Sequence, residues 1–264
     1  VDVADHDPLN DRRRPWQRGG EAALLGVAGA SLGHLAAAPV ELGIPVAIVA
    51  GLNGLIGGWR GVYATDLRGG TAFLLDSTWA TVPIAGSLVS HLVATVRGHP
   101  VEVSLSHHHN RHVYRGGLAL KRGFALTVGN TISGAGDVDR PRRRRLITDH
   151  EDVHVWQQRW LGPVYPLLYV SWFLAGIVAG TLVWIVRPTR PRPPIRTTVE
   201  TVAYYLNPFE WWAYSRDDLW PPPGMIRALG WPRPAVRPLA QVPRVIRRRH
   251  RESARAPHGA KMDP

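Results

Sequence analysis

Four apolar stretches limit what this chain can fold into. Residues 22–38 and 44–63 are rich in alanine and glycine, with His34 the only strongly polar member of the first. Residues 71–96 carry Asp76, Ser77, Pro83, Ser87, Ser90 and His91, and residues 161–186 are interrupted by Gly162, Pro163 and Pro166. A helix crosses hydrocarbon with about 20 mostly apolar residues, and each run is near that length. Gly26, Gly29, Gly33, Gly51, Gly54, Gly57 and Gly58 permit close helix approach, so the first two runs are expected to form a transmembrane hairpin, with Arg60 and Arg68 returning to the positive side. The third reads as a further span or as an interfacial or re-entrant helix, Asp76 and His91 supplying polarity at a helix end or inside a bundle. Around the fourth, Trp160, Trp172, Trp184, Tyr165 and Tyr169 are the aromatics expected at a membrane interface. No small-x-small cleavage site stands out, so the first run reads as a retained span.

Charge points the same way. The 264 residues carry 32 Lys+Arg against 20 Asp+Glu, a formal +12, unevenly spread. Residues 1–97 hold seven basic against eight acidic side chains; residues 187–264 hold fifteen against six. A basic tail beside apolar segments suits anionic lipid headgroups, and without a zinc finger, RNP-like motif or heptad repeat a nucleic-acid partner is not expected. Arg142 to Arg145 is read as a lipid-headgroup contact. There are no cysteines, so a metal site must be built from His, Asp or Glu.

Between the apolar runs the texture changes. Residues 101–106 alternate with period two, as a half-buried strand does, and residues 118–128 read as two strands about a Lys121-Arg122-Gly123 turn. Gly129 to Gly136 reads as a loop. The fold class is therefore α+β: a mainly helical membrane protein with a small sheet ahead of a helix capped by Thr148 or Asp149. The expected organisation is a cytoplasmic polar arm (1–20), transmembrane or re-entrant helices (21–97), a mixed domain (98–215) including the apolar run 161–186, and a disordered Pro/Arg-rich tail (216–264). Everything basic falls on the cytoplasmic side of a bacterial inner membrane if the last run re-enters and residues 71–96 do not cross.

That helix carries His150-Glu151-Asp152-Val153-His154, followed by Gln157 and Gln158. On a helix His150 and His154 project from one face, where two imidazoles can share a metal, with Glu151 beside a water on that metal. A chain with twelve histidines and seven glutamates shows this spacing by chance in roughly one shuffle in 70, so context must support it. The context is a preceding sheet, a second helix after the motif, and a downstream Asn207-Pro208-Phe209-Glu210 into which a short helix at 199–206 runs.

On these residues the chain resembles the zincin metallopeptidases, and within them the Glu-ligated gluzincins. It is also similar to uncharacterised bacterial membrane proteins that pair H-E-x-x-H-x-x-Q and Gly-Pro-x-Tyr with a later acidic motif. The likeness covers about residues 118–214. It implies zinc as cofactor, His150, His154 and Glu210 as ligands, Glu151 as general base, a peptide or protein substrate, and edge pairing of that substrate along residues 124–128. Two departures stand beside it. Asp152 puts a charge inside the motif, and a membrane-crossing run at 161–186 would separate Glu210 from His154. Either that run is broken near Pro163 and Gly176 to Gly180, or His107, His108, His109 or His112 must replace Glu210. The alternative to a hydrolase is a non-catalytic membrane scaffold, its basic tail docking lipid or a partner in a membrane complex.

Overall fold

The computed structural model describes residues 13–120, 123–187 and 192–238, which form a mainly helical protein with one three-stranded sheet. Pro15 opens α1 (Pro15–Ala37) at the first helical position, where a missing N–H costs nothing. A 3₁₀ turn (Ala38–Val40) then leads into α2 (Gly43–Arg60). The two helices pack as the expected hairpin because glycine removes the obstacle between backbones. A Cβ at Gly54 would sit 2.2 Å from the Leu25 carbonyl oxygen. Only the first arm, continued to Val40, is long and apolar enough to cross a membrane; α2, interrupted by Asn53 and ending on Trp59-Arg60, is not. The expected pair of spans is thus one candidate span and a shorter partner.

Residues 71–96 are not one helix. They divide into α3 (Leu67–Ser77), capped by Asp66 accepting from Gly69 N at 2.8 Å, and α4 (Thr81–Val96), bent from it by 92°. Both polar residues expected inside a bundle are there. Asp76 is fully buried and accepts from Nε and Nη2 of Arg159, each at 2.8 Å. Tyr63 Oη and Asn130 Nδ2 also donate to it at 3.0 Å, and Asn130 Nδ2 reaches Asn53 Oδ1 at 2.9 Å. His91 Nδ1 lies 2.8 Å from the Tyr114 hydroxyl, which also accepts from Arg60 Nη1 at 2.7 Å.

The sheet differs from the one expected. Residues 101–106 contribute a short helix, α5 (Val103–Ser106), because Ser106 Oγ donates back to Glu102 O and accepts from Val113 N, and Ser104 Oγ donates to Glu102 Oε1. The strands are β1 (His112–Val113), β2 (Leu126–Val128) and β3 (Thr131–Ser133), in the order β1-β3-β2. β1 runs parallel to β3, and β2 antiparallel to it with Thr127 opposite Ile132. The hairpin therefore turns at Gly129-Asn130, where Gly129 takes φ +57°, and what read as a loop is the central strand. Lys121 and Arg122 of the expected turn lie outside the described residues. Leu105, Val113, Ile132, Val138, Ile147 and Val155 pack behind the sheet as the core.

The motif helix begins earlier than expected. Pro141 starts α6 (Pro141–Arg145), which passes through one π turn (Leu146–Glu151) into α7 (Asp152–Leu161). Thr148 and Asp149 therefore lie inside a continuous helix and cap nothing. Gly162, at φ +51°, and Pro163 turn the chain into α8 (Val164–Val186), the second helix long and apolar enough to cross a membrane. α8 is unbroken. The chain returns afterwards, through α9 (Ile195–Glu200) and a π turn (Thr201–Tyr205), to α10 (Pro208–Arg216). Gly180 and Gly176 are the contact face for that return: a Cβ on them would meet Val199 Cα at 2.9 Å and Ala203 Cα at 2.5 Å. The same antiparallel register sets Tyr169 beside Glu210, with Tyr169 Oη donating to Glu210 Oε1 at 2.8 Å.

Two charged segments also find internal partners. Arg142 pairs with the buried Asp217 at 2.6 Å, and Arg143 donates to the carbonyls of Gly134 and Ala135 at 2.5 Å. The tail expected to be disordered from residue 216 is packed as far as residue 238. Trp211 stacks on Trp231 with centroids 5.1 Å apart, and Ser215 Oγ accepts from Ala235 N at 2.8 Å.

Asp76→Ala leaves a buried guanidinium without its carboxylate and should cost about 3–5 kcal/mol, whereas an apolar replacement of both Asp76 and Arg159 should cost far less. Thermal unfolding in detergent measures both. Gly176→Leu should push the return segment off α8 and lower the unfolding midpoint, read in the same measurement.

Candidate metal centre

His150, Glu151, His154 and Glu210 are all buried, at 3–6% exposure, in a chain where such groups need partners. His150 sits in the π turn and His154 one turn on in α7, which brings their Nε2 atoms to 3.3 Å. Glu210 comes from the first turn of α10, whose start is fixed by Asn207 accepting from Phe209 N and by Pro208 at the first position. Its Oε2 lies 3.5 Å from His150 Nε2 and its Oε1 3.4 Å from His154 Nε2. The expected set is thus brought together, and these three residues could hold a metal ion.

The dimensions fit a tetrahedral ion. Bonds of about 2.0–2.1 Å at tetrahedral angles require ligand atoms about 3.3–3.4 Å apart, which is the separation of the two Nε2 atoms, and each Glu210 oxygen lies near that distance from one of the two histidines. Glu210 Oε2 is buried and lacks a hydrogen-bond donor at ordinary distance, as an oxygen built to face a cation would. Supporting groups hold the ligands. His154 Nδ1 lies 2.9 Å from Gln157 Oε1, and Gln157 Nε2 donates to Phe209 O at 3.1 Å, so one glutamine ties the ligand of α7 to the element carrying Glu210. Tyr165 Oη is 3.4 Å from the same His154 nitrogen.

Glu151 is held separately, accepting from Thr127 Oγ1 at 2.6 Å. Asp152 points elsewhere: Arg111 donates to Oδ1, and Arg68 reaches Oδ2 at 3.1 Å, so its charge is compensated outside the site. Gln158 bridges α7 to β2, donating to Thr127 O at 3.2 Å and accepting from Gly129 N at 2.7 Å. That takes strand groups expected to pair with a substrate. His107, His108, His109 and His112 do not join the metal group; His112 Nδ1 lies 3.3 Å from Arg60 Nη1.

The tyrosines are what sequence reasoning missed. Tyr165 and Tyr169 were expected at a membrane interface, yet they touch His154 and Glu210. Their spacing of four on α8 was the available signal, since it places both on one face. Both line a cavity of about 600 Å³, together with His150, Glu151, His154 and Glu210. Comparison with protein-family models, curated proteins and solved structures finds no match.

Burial opposes a charge on His154, but the Glu210 carboxylate beside it prevails and raises its pKa to about 9. Burial likewise opposes charge on Glu210, yet His154 and His150 hold it well below the usual carboxylate range. In the metal-free chain, the stabilisation from His154 is therefore complete below its ordinary 6.5 and lost as pH rises through about 9. The unfolding midpoint should fall across that window, and His154→Gln should flatten the fall. If the group holds a divalent metal, Gln157→Leu should weaken that binding by about 10–100-fold, measured by competition with a chelator.

Proposed function

We propose that this protein is a membrane-embedded zinc-dependent hydrolase, acting as a peptidase. The observation that carries the reading is the buried His150–His154–Glu210 group, its two Nε2 atoms 3.3 Å apart, Glu210 Oε2 3.5 Å from His150 and Oε1 3.4 Å from His154, with Glu151 beside it. Two neutral imidazoles and one carboxylate leave a fourth position open, the arrangement of catalytic rather than structural zinc. Zinc bound there supplies a Lewis acid that acidifies a water toward neutrality.

The chain's own residues supply the rest. Glu151 accepts the proton of the attacking water and returns it to the leaving amine, its carboxylate oriented by Thr127. Gln157 keeps His154 in the tautomer that offers Nε2 to the metal, and Tyr169 holds Glu210 Oε1. Tyr165 and Tyr204 line the same cavity.

Two helices long and apolar enough to cross a membrane support an integral location. The metal group lies level with the first two turns of α8, where Tyr169 meets Glu210, and so near one membrane face. The excess of basic residues flanking the motif makes that face the cytoplasmic one of a bacterial inner membrane, with the exposed Arg140 and Arg144 turned to anionic headgroups while Arg142 and Arg143 keep their internal partners.

Purified protein should bind zinc one to one by elemental analysis. His150→Ala, His154→Ala and Glu210→Ala should each lose it, while Glu151→Gln keeps the metal and drops kcat by about 10²–10⁴. A wild-type chain that takes up no stoichiometric zinc would sink this reading.

A further inference from the structure

Taking the metal group as a hydrolase centre, we propose that its substrate is a neutral, apolar polypeptide segment carried in the bilayer, admitted sideways between α4 and α8. The cavity runs from a buried end to an open one. Glu151 and Glu210, 6% and 3% exposed, line it, and so do Val82 of α4 and Val170 of α8, 54% and 52% exposed. Leu120 and Phe124, also exposed, belong to the same lining. The apolar surface continues past the mouth, through Val89 on α4 and Leu167 on α8. An opening ringed in this way is suited to hydrocarbon, and a contiguous exposed apolar patch marks an interaction surface. α8 is one of the helices able to cross a membrane, and α4 belongs to the bent pair that passes the same test. The route to the metal group thus starts where acyl chains would lie.

Charge selects the occupant. The chain carries 32 Lys+Arg, yet no lysine or arginine is among the described residues lining this cavity, while two carboxylates are. A phosphate headgroup would meet Glu151 and Glu210 with no lysine or arginine among the described lining residues to offset their repulsion, so that the metal alone among the described groups would balance its charge, which favours a neutral occupant. A neutral peptide carbonyl meets neither penalty. The volume, about 600 Å³, accommodates about four large apolar side chains but not a crossing helix 10–12 Å wide, so the segment enters unwound. Because Gln158 already occupies Thr127 O and Gly129 N, selection rests on apolar side-chain burial more than on pairing with β2.

The chain has no cysteine, so one can be placed and labelled cleanly. The full chain, in phospholipid nanodiscs, carries an environment-sensitive fluorophore on Val82→Cys, with Arg140→Cys as the exposed control. Lipids brominated in the acyl chain should quench the Val82→Cys label at least about twofold and spare the control. An uncharged Leu/Val/Phe peptide of about 12 residues should reverse the quenching, and a Glu/Lys-rich peptide of equal length should not. Val170→Trp should abolish the reversal with zinc content unchanged. Absence of quenching, equal reversal by both peptides, or release of fatty acid from phospholipid without peptide binding would each overturn the proposal. Binding of the apolar peptide, also by Glu151→Gln, without zinc uptake or cleavage would leave the lateral apolar site standing and refute the hydrolase reading.

Discussion

A guanidinium and a carboxylate, both almost wholly removed from water, meet at the centre of this molecule. Arg159 of α7 donates two hydrogen bonds of 2.8 Å to Asp76 of α3, and neither charge would be tolerable there without the other. The pair is embedded in a set of neutral donors and acceptors. Arg159 Nη2 also donates to Asn110 O at 2.5 Å, while Tyr63, Asn130 and Asn53 complete the surroundings of Asp76. These residues come from α2 and the loop after it, α3, the α5–β1 loop, α7 and the β2–β3 turn, so one network fixes the motif helix against both the α1–α2 hairpin and the sheet. In a low-dielectric interior each member is costly to leave unmade, which gives the arrangement one solution.

The metal group depends on that fixed frame from one side and on the return from α8 on the other. Two ligands arrive on consecutive turns of one helix and need only local geometry. The third arrives 56 positions after His154, past a 23-residue apolar helix, and is placed by packing. Gly176 and Gly180 let the return segment lie against α8, and the register of that contact delivers Glu210 to Tyr169 and to the histidines. A π turn at Leu146–Glu151 opens the helix where His150 and Glu151 emerge, a distortion that recurs at functional sites.

The supporting residues divide the labour by charge. Gln157 and Tyr169, both neutral, contact the ligands and add hydrogen bonds without competing for the metal. The charge that seemed foreign to the motif, Asp152, is turned toward Arg111 and Arg68 on the far side of α7. An acidic residue beside the site is tolerated because helical periodicity points it away.

Much of the candidate site was legible in the sequence, because i, i+4 spacing on a helix is a local property: His150, Glu151 and His154 are placed by the chain's own geometry. The glycine-lined α1–α2 hairpin was legible for the same reason, as were Asp76 and His91 as interior polarity. What local pattern could not give was anything settled by distant partners. Alternation at 101–106 reads as strand, but Ser104, Ser106 and Glu102 satisfy one another in a helical turn. Gly129-Asn130 makes the β2–β3 hairpin, and its register buries Ile132 in the core. Above all, sequence posed Glu210 as a dilemma, ligand or membrane-separated, on the premise that the apolar run itself must break. Tertiary structure supplies another answer: the run stays whole and the next segment comes back along it, because two glycines leave room for a backbone beside their own.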